Sequence, residues 1–318
     1  MKIYLAPMEG VVNARMRALL TEVGGIDRCV TEFVRVTRQL LPPRVFYRYC
    51  PELHHGSTTP AGTPVYLQLL GSEANCMADN AARAAQLGAA GIDLNFGCPA
   101  KTVNKHRGGS ILLDEPMLIH DIVATIRSSL PQSIPLTVKI RLGYEDSSPL
   151  LDVAHAVTQA GASELIIHAR TKAQGYKPPA HWGAIATVRE HVGIPIVANG
   201  EIWSEQDYHR CRTVSGCDDV MIGRGLLAQP GLASLLKGHA TSAMHWRDTV
   251  EKLIRFQREL QLECVPRHAC SPLKQWLAYL KLHYQEAADL LQRVKRITDA
   301  ETMLYALRAE QRQALAAA

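Results

Sequence analysis

One cysteine stands where an apolar, strand-like segment turns. Residues 91–99 read Gly-Ile-Asp-Leu-Asn-Phe-Gly-Cys-Pro, so Cys98 follows the segment and precedes a proline. The residue before a proline is pushed out of the helical region, which indicates a forced turn at the carboxyl end of a strand. A free cysteine is often only a small buried hydrophobe, and reactivity requires partial exposure. Cys98 is therefore a candidate reactive group, if its strand ends at an active site.

A second segment, residues 136–142, alternates polar and apolar side chains. Thr137, Lys139 and Arg141 share one face of it. The outer face of a parallel sheet is covered, and two buried cations are costly unless an anion or ligand offsets them. Gln68 and His168 lie on similar inward faces of two other segments. Each alone is typical of a satisfied core residue, but several such positions on different strands indicate a site.

Two glycine turns follow the last two strand-like segments. They read Asn199-Gly200-Glu201 and Gly223-Arg224-Gly225. In a parallel barrel, the loops after strands seven and eight frequently bind phosphate, because glycine allows a close backbone approach and a nearby arginine adds charge. The turns therefore indicate a ligand that carries phosphate.

The order of apolar and amphipathic segments predicts an α/β fold with a (β/α)₈ TIM barrel. Eight apolar segments predict strands at residues 3–8, 29–33, 65–71, 92–97, 136–142, 165–169, 196–199 and 220–223. Amphipathic segments between them predict helices, the clearest at residues 74–87, 116–130, 151–160 and about 204–213. An open doubly wound sheet is the alternative, but it would normally show a glycine-rich fingerprint after its first strand.

From about residue 244 the pattern is helical only. Helical periodicity covers residues 250–262, 273–284, 287–297 and 300–315. We therefore predict two domains, a barrel at residues 1–240 and a smaller all-helical domain at 244–318. The second holds 12 Lys or Arg and 9 Asp or Glu, a difference of +3 out of a net charge of +5 for the chain. This modest excess is compatible with a polyanionic partner or with an ordinary solvated surface.

Composition excludes several classes of protein. The chain has no run of 18 apolar residues and no recognisable signal peptide, and its eight cysteines include no CxxC pair. These features predict a reduced, cytoplasmic protein with no membrane segment. Cys264, His268 and Cys270 form one cluster of metal-ligand types, but their spacing matches no standard zinc pattern, so no metal is expected.

Eight short motifs together resemble one enzyme family, the tRNA-dihydrouridine synthases. They are Pro7-Met8-Glu9-Gly10, Thr31-Glu32-Phe33, Gln68-Leu69, Asn95-Phe96-Gly97-Cys98-Pro99, Lys139-Ile140-Arg141, His168-Ala169-Arg170-Thr171, Asn199-Gly200-Glu201 and Gly223-Arg224-Gly225. Glu9, residues 31–36, residues 199–203 and the segment Lys274-Gln275-Trp276-Leu277 most resemble the bacterial C subgroup, which reduces uridine 16 in the D-loop. One departure is residues 105–110, which are basic where relatives are rich in glycine and serine.

The resemblance implies FMN as cofactor and NADPH as reductant. It implies hydride transfer from flavin N5 to C6 of the uracil, with Cys98 as the catalytic residue that donates a proton to C5. The residues that it implies for cofactor binding are Pro7, Met8, Glu9, Gln68, Lys139, His168, Asn199, Gly200, Glu201, Gly223 and Arg224.

The resemblance also implies tRNA as the partner, bound by the helical domain, with no obligate protein partner. The base must leave the folded RNA to reach the flavin. Asn95 and Arg141, together with His168, are expected to hold it, and Arg35, Tyr176, Lys274 and Lys295 are expected to contact the tRNA.

Two other functions stay open at this point. One is an FMN barrel that acts on a free pyrimidine, such as a dihydroorotate dehydrogenase, although a free pyrimidine needs no helical platform. The other is a non-catalytic RNA-binding protein built on a barrel scaffold.

Overall fold

A closed barrel of parallel strands forms the first part of the chain. The computed structural model describes residues 1–263, 265 and 268–316, except for the side chain of residue 263. Its strands are β1 (Ile3–Leu5), β2 (Arg28–Val30), β3 (Val34–Arg35), β4 (Val65–Leu70), β5 (Ile92–Phe96), β6 (Leu136–Arg141), β7 (Glu164–His168), β8 (Ile196–Asn199) and β9 (Val220–Ile222). The predicted (β/α)₈ barrel is confirmed.

Two short strands share the second position of the barrel. Both β2 and β3 pair with β4, and the β2–β4 pairing closes the sheet into a ring, which excludes the open doubly wound alternative. The prediction of one strand at residues 29–33 was therefore wrong in its second half. The backbone N–H of Gln68 donates to Thr31 Oγ1 over 3.0 Å. Where the strand breaks, a side-chain oxygen thus takes the place of the backbone carbonyl that accepts such a bond in a regular sheet. The break turns Glu32 and Phe33 toward the ligand cleft described below.

Helices cover the outside of the barrel and make up the end of the chain. Those around the barrel are α1 (Ala14–Val23), α2 (Pro43–Tyr49), α3 (Ala74–Gln86), α4 (Lys101–Lys105), α5 (Pro116–Ser129), α6 (Leu150–Gln159), α7 (Trp182–His191), α8 (Glu205–Ser215), α9 (Arg224–Ala228) and α10 (Leu232–Leu236). Those that follow are α11 (Trp246–Glu263), α12 (Ser271–Leu280), α13 (Gln285–Val294) and α14 (Ala300–Ala316). The 3₁₀ helices Pro51–His55 and Gly109–Asp114 lie in the loops of the barrel.

The amino-terminal end of the barrel is filled by a buried ion pair. Arg28 pairs with Glu164, and Tyr4 donates its hydroxyl to the same carboxylate over 3.0 Å. The Arg28 guanidinium also lies over the ring of Tyr4 at 3.7 Å and over that of Tyr66 at 4.5 Å. These side chains fill this end of the barrel, and the polar residues at the other strand ends face a cleft.

The carboxyl-terminal helices pack directly against the barrel. Trp276 on α12 is buried and donates its indole N–H to the carbonyl of Leu227 over 3.1 Å, and its ring meets Phe256 of α11 edge to face. Glu22 on α1 forms ion pairs with Lys252 and Arg255 of α11. The apolar core runs continuously from the barrel into these helices. The division at residues 240–244 stays a prediction.

Membrane and metal features can be assessed only for the described part of the chain. No helix there has the length and apolar character that a membrane span requires. The described residues also contain no group of three or more His, Cys, Asp or Glu placed to hold a metal ion. Of the cluster noted in the sequence, Cys264 lies outside the described residues.

Candidate active site

A cleft of about 510 Å³ opens at the carboxyl ends of the barrel strands. It collects residues that were predicted from seven separate segments of the sequence. The predicted residues that line it are Pro7, Met8, Glu9, Gln68, Asn95, Cys98, Lys139, Arg141, His168, Tyr176, Asn199, Gly200, Glu201, Gly223 and Arg224. The predicted catalytic residue and all predicted cofactor residues thus meet in one cavity.

The Cys98 thiol is half-buried in this cleft. Burial raises the pKa of the thiol above its usual value, and Glu9 adds to the rise, while Arg141 and Arg35 oppose it without reversing it. The thiol therefore stays protonated at neutral pH, as a proton donor must.

The backbone of Cys98 is fixed from the loop that follows it. Its carbonyl oxygen accepts hydrogen bonds from Asn104 Nδ2 at 2.9 Å, from Ser110 Oγ at 2.9 Å and from Ser110 N at 3.1 Å. Gly109 has a φ of +69°, and a Cβ there would lie 2.7 Å from the same oxygen. The glycine and polar residues of this loop therefore hold the Cys98 carbonyl in place.

Lys139 brings a cation to the centre of the cleft. Its Nζ donates to Asn199 Oδ1 over 2.9 Å, and Asn199 Nδ2 donates in turn to the carbonyl of Met221 over 2.8 Å. Burial and the nearby Arg141 lower the pKa of the Lys139 ammonium to about 8. The side chain is thus mostly charged at neutral pH and close to losing its proton.

Gln68 and Asn95 belong to a chain of hydrogen bonds across strands β4 and β5. Gln68 Nε2 donates to Asp93 Oδ2 at 2.7 Å, and Asn95 Nδ2 donates to Gln68 Oε1 at 2.8 Å. Asn95 Oδ1 accepts the backbone N–H of Gly97 at 3.0 Å. Thr137 Oγ1 donates to the other oxygen of Asp93 at 2.5 Å. Burial raises the pKa of the Asp93 carboxyl to about 6, so it is ionised at neutral pH.

His168 enters the cleft as a neutral ring. Burial lowers its pKa well below the usual value, and the surrounding cations, Arg141 first among them, lower it further. Its Nδ1 is buried without a hydrogen-bond partner among the described residues. An orphaned buried nitrogen in a cavity wall is typical of a ligand contact, because leaving it unpaired is costly.

The glycine turns form one end of the cleft. Arg224 lies over the ring of Trp203 at 4.9 Å and over that of Tyr176 at 5.3 Å. Glu201, with φ of +60°, forms an ion pair with the buried Arg170 and lies 3.8 Å from Arg224. This end offers a cation and open backbone turns to an anionic group.

Arg141 organises the loops at the mouth of the cleft. Its Nε donates to the carbonyl of Gly97 at 2.9 Å, and its Nη1 donates to the carbonyls of Thr171 and Gly175 at 3.0 and 2.9 Å. The guanidinium also lies 5.1 Å from the ring of Tyr176, which is 54% exposed. Tyr176 thus stands at the rim between two arginines.

Three predicted tRNA contacts lie outside the cleft. Arg35 is exposed on β3. The other two meet on the helical part of the chain, where Lys274 Nζ donates to the backbone carbonyl of Lys295 at 3.2 Å, and Lys295 Nζ donates to Gln292 Oε1 at 2.6 Å. Lys274 and Lys295 therefore lie side by side, and Arg35 lies near enough to Cys98 to affect the pKa of its thiol.

Several cleft residues were given no role from the sequence, and four of them have large polar or aromatic side chains. These four are Glu32, Phe33, Trp203 and Tyr279. Glu32 and Trp203 stand in motifs that the resemblance rests on, so their positions could have been carried over. Tyr279 comes from α12, in the helical part, and no local signal marks it, since only tertiary packing brings it to the barrel.

The site fits a planar, polar cofactor with a phosphate at one end. The predicted flavin cofactor has a ring that gains negative charge when it is reduced, and Lys139 supplies a cation in the cavity wall. His168 supplies an unpaired nitrogen, and Arg224 supplies positive charge at the glycine turns. FMN has this combination of parts.

Comparisons with known proteins agree with this arrangement. The family model described as dihydrouridine synthase matches residues 4–316. The tRNA-dihydrouridine(16) synthase of Aquipseudomonas alcaligenes is 51% identical over 95% of this chain and 97% of its own. That of Salmonella typhimurium is 46% identical over 97% and 99%.

A solved structure shows the fold alone. A variant of NCR from Zymomonas mobilis aligns with a TM-score of 0.52 at 14% identity, covering 75% of this chain and 87% of that one. The family match spans nearly the whole chain and includes every residue that lines the cleft. This chain belongs to the dihydrouridine synthase family.

Proposed function

We propose that this chain reduces uridine to 5,6-dihydrouridine at position 16 of tRNA, with FMN as the bound cofactor and NADPH as the reductant. The observation that carries the proposal is that Cys98, whose thiol pKa is raised by burial, and the half-buried Lys139 lie in the walls of one cleft. Relatives about half identical over nearly the full length are named tRNA-dihydrouridine(16) synthases, which supports the substrate and the position. Such an enzyme works where tRNA is found, in the cytoplasm.

The cofactor would be held along the cleft from its ring to its phosphate. Six residues of the cleft wall would hold the ring: Pro7, Met8, Glu9, Gln68, Lys139 and His168. Asn199, Gly200, Glu201, Gly223 and Arg224 line the end with the glycine turns. When bound, FMN supplies the hydride for the reaction.

Lys139 would stabilise the charge that gathers on the reduced ring. A cation in a partly buried site acts strongly on developing charge, because little water screens it. Its hydrogen bond to Asn199 fixes the ammonium in place before the reaction begins.

Cys98 would donate its proton to C5 of the uracil. A raised pKa keeps the proton on sulfur until the base accepts it, and the three bonds to its carbonyl hold the residue in position. Asn95, His168 and Arg141 line the same cavity and would hold the extruded base. Extrusion is needed because the target base is not accessible within folded RNA.

The helical residues 244–318 would form the tRNA-recognition domain. Lys274 and Lys295 lie together on this part, and Tyr176 and Tyr279 stand near the cleft mouth. Folded RNA is recognised by shape and backbone over a wide surface, and the barrel mouth alone offers little of it.

A half-reaction assay tests the proposed chemistry. The cofactor is released and identified by mass, and the holoenzyme is then reduced with NADPH or NADH without oxygen. Unmodified tRNA should re-oxidise the reduced enzyme, whereas free uridine and orotate should not. Re-oxidation by orotate or free uridine would instead identify a small-molecule reductase, and a protein that binds tRNA but no flavin would be a binding protein only.

A further inference from the structure

Asp93 is a buried carboxylate that no predicted role uses. It lies on β5 with no measurable exposure, two residues before Asn95, and is paired in register with Thr137 of β6. Its carboxylate is bonded to Gln68, a buried residue that lines the cleft. Its hydrogen bond can therefore act on a ligand through Gln68, while its charge also acts on Lys139 and partly offsets the lowering of that ammonium's pKa by burial.

The chain of hydrogen bonds from Asp93 to Gly97 runs in one donor-to-acceptor direction, and the groups at both of its ends require that direction. An ionised carboxylate can only accept, so Gln68 must turn its Nε2 toward Asp93 and its Oε1 toward Asn95. At the other end, the Gly97 N–H can only donate, so Asn95 must turn its Oδ1 toward Gly97 and its Nδ2 toward Gln68. Both ends require the same orientation of the two side-chain amides. The hydrogen-bond partners therefore identify the oxygen and the nitrogen of each amide, although the two atoms have similar shapes.

This direction decides what the cleft offers to its ligands. Each amide nitrogen carries two hydrogens, and the chain uses one on Gln68 and one on Asn95. Both residues line the cleft, Gln68 with no measurable exposure, and these hydrogen bonds leave the second N–H of each amide unused. The complementary ligand groups are hydrogen-bond acceptors, such as ring carbonyl oxygens. An amino group on the ligand is itself a donor and would form no hydrogen bond with these amides.

We propose that Asp93 is a positioning residue that fixes Gln68 and Asn95 as hydrogen-bond donors toward the ligands of the cleft. The proposal rests on the proposed function for the identity of those ligands, a flavin ring at Gln68 and a uracil at Asn95. The far end of the chain is Gly97, the residue before Cys98, so the same bonds also fix the start of the turn that carries the thiol.

Two substitutions of Asp93 distinguish the effect of its hydrogen-bond acceptor from the effect of its negative charge. Asp93→Leu keeps a similar volume but removes the acceptor, which leaves a buried Gln68 N–H unpaired and frees the amide to turn. Asp93→Asn removes the charge but keeps an oxygen for Gln68, and its amide can donate to Thr137. We expect Asp93→Leu to weaken FMN binding and to lower kcat by about tenfold or more each, and Asp93→Asn to stay within about threefold of wild type.

A matched control uses the other oxygen of the same carboxylate. Thr137→Val removes the bond to Asp93 Oδ1 at nearly constant shape and leaves the chain to Gln68 complete. It should keep wild-type FMN affinity and kcat. Thermal unfolding of each variant reports any general loss of stability. If Asp93→Leu does not fold, Asp93→Ser replaces it, because its shorter hydroxyl side chain cannot span to Gln68.

A double-mutant cycle with Gln68→Leu tests whether Asp93 acts through Gln68. The readouts are the FMN dissociation constant of the apoprotein, the visible spectrum of the bound flavin and kcat. If the proposal holds, Asp93→Leu adds little once Gln68 is replaced. Multiplying effects in the double variant, or an Asp93→Asn variant as impaired as Asp93→Leu, would overturn it. A wild-type protein that binds no flavin and forms no dihydrouridine would instead refute the proposed function.

Discussion

Asn104 Nδ2 donates to the carbonyl oxygen of Cys98 across 2.9 Å, and the same amide nitrogen donates to the carbonyl of Ala100 at 2.8 Å. Its Oδ1 accepts the N–H of Ile111 at 2.8 Å, so one side chain joins both ends of the loop behind the thiol. The position of the proton donor thus depends on a residue that does not itself line the cleft.

Replacing Asn104 with alanine should therefore displace the thiol without affecting the flavin. We expect kcat to fall by about 10-fold to 100-fold, because small misplacements of a reacting group are costly, while FMN affinity stays unchanged. The rate of Cys98 alkylation as a function of pH should change as well. Asn80→Ala is the matched control, since Asn80 is also buried and bonds the backbone of Gln39, Leu41 and Cys76. Equal loss of kcat in both variants would show a general effect of stability.

Cys98→Ala should keep the flavin bound and lose most turnover. General acid catalysis is worth about 10²-fold to 10⁴-fold, and the thiol is the proposed proton donor. Cys76→Ala is the control, because Cys76 is the other partly exposed thiol among the described cysteines and lies on α3. Dihydrouridine formation at a near-normal rate by the Cys98 variant would remove this residue from the mechanism.

Lys139 should give the reaction a dependence on pH. Its pKa is lowered to about 8, so the ammonium is charged below that pH and loses its charge as the pH rises through it. Hydride transfer to tRNA should slow over the same range. Lys139→Met should be slow by about 10²-fold at neutral pH, with no further fall near pH 8. Lys139→Arg keeps its charge, so its pH profile should also be flat near pH 8. If both variants keep the wild-type fall in rate near pH 8, the titrating group is not Lys139.

Lys274→Ala and Lys295→Ala should each weaken tRNA binding. If each lysine contacts a phosphate, its loss should also flatten the dependence of log Kd on log salt by about one unit of slope. Flavin content and oxidation of NADPH without tRNA should not change. Arg308→Ala, an exposed cation on α14, is the control. Wild-type affinity and slope in both lysine variants would mean that the tRNA lies elsewhere.

The barrel and most of its site could be predicted because local patterns carry them. Alternation in one strand placed Lys139 and Arg141 inward, and the Gly-Cys-Pro turn placed Cys98 at a strand end. The break between Val30 and Val34 could not be predicted, since it depends on Thr31 bonding the backbone of a distant strand. Asp93 was an unremarked acid in an apolar segment, because its partners come from β4 and β6.

Mapping of the product on tRNA tests most directly whether this chain makes dihydrouridine at position 16. Purified enzyme, NADPH and tRNA transcribed without modifications should be incubated together, and the product digested and mapped by mass spectrometry. We expect a gain of two hydrogens at uridine 16 and at no other uridine, and a rate lower by about 10²-fold to 10⁴-fold with Cys98→Ala. Reduction at a different uridine, or none by a flavin-loaded and NADPH-reduced enzyme, would contradict the proposed function.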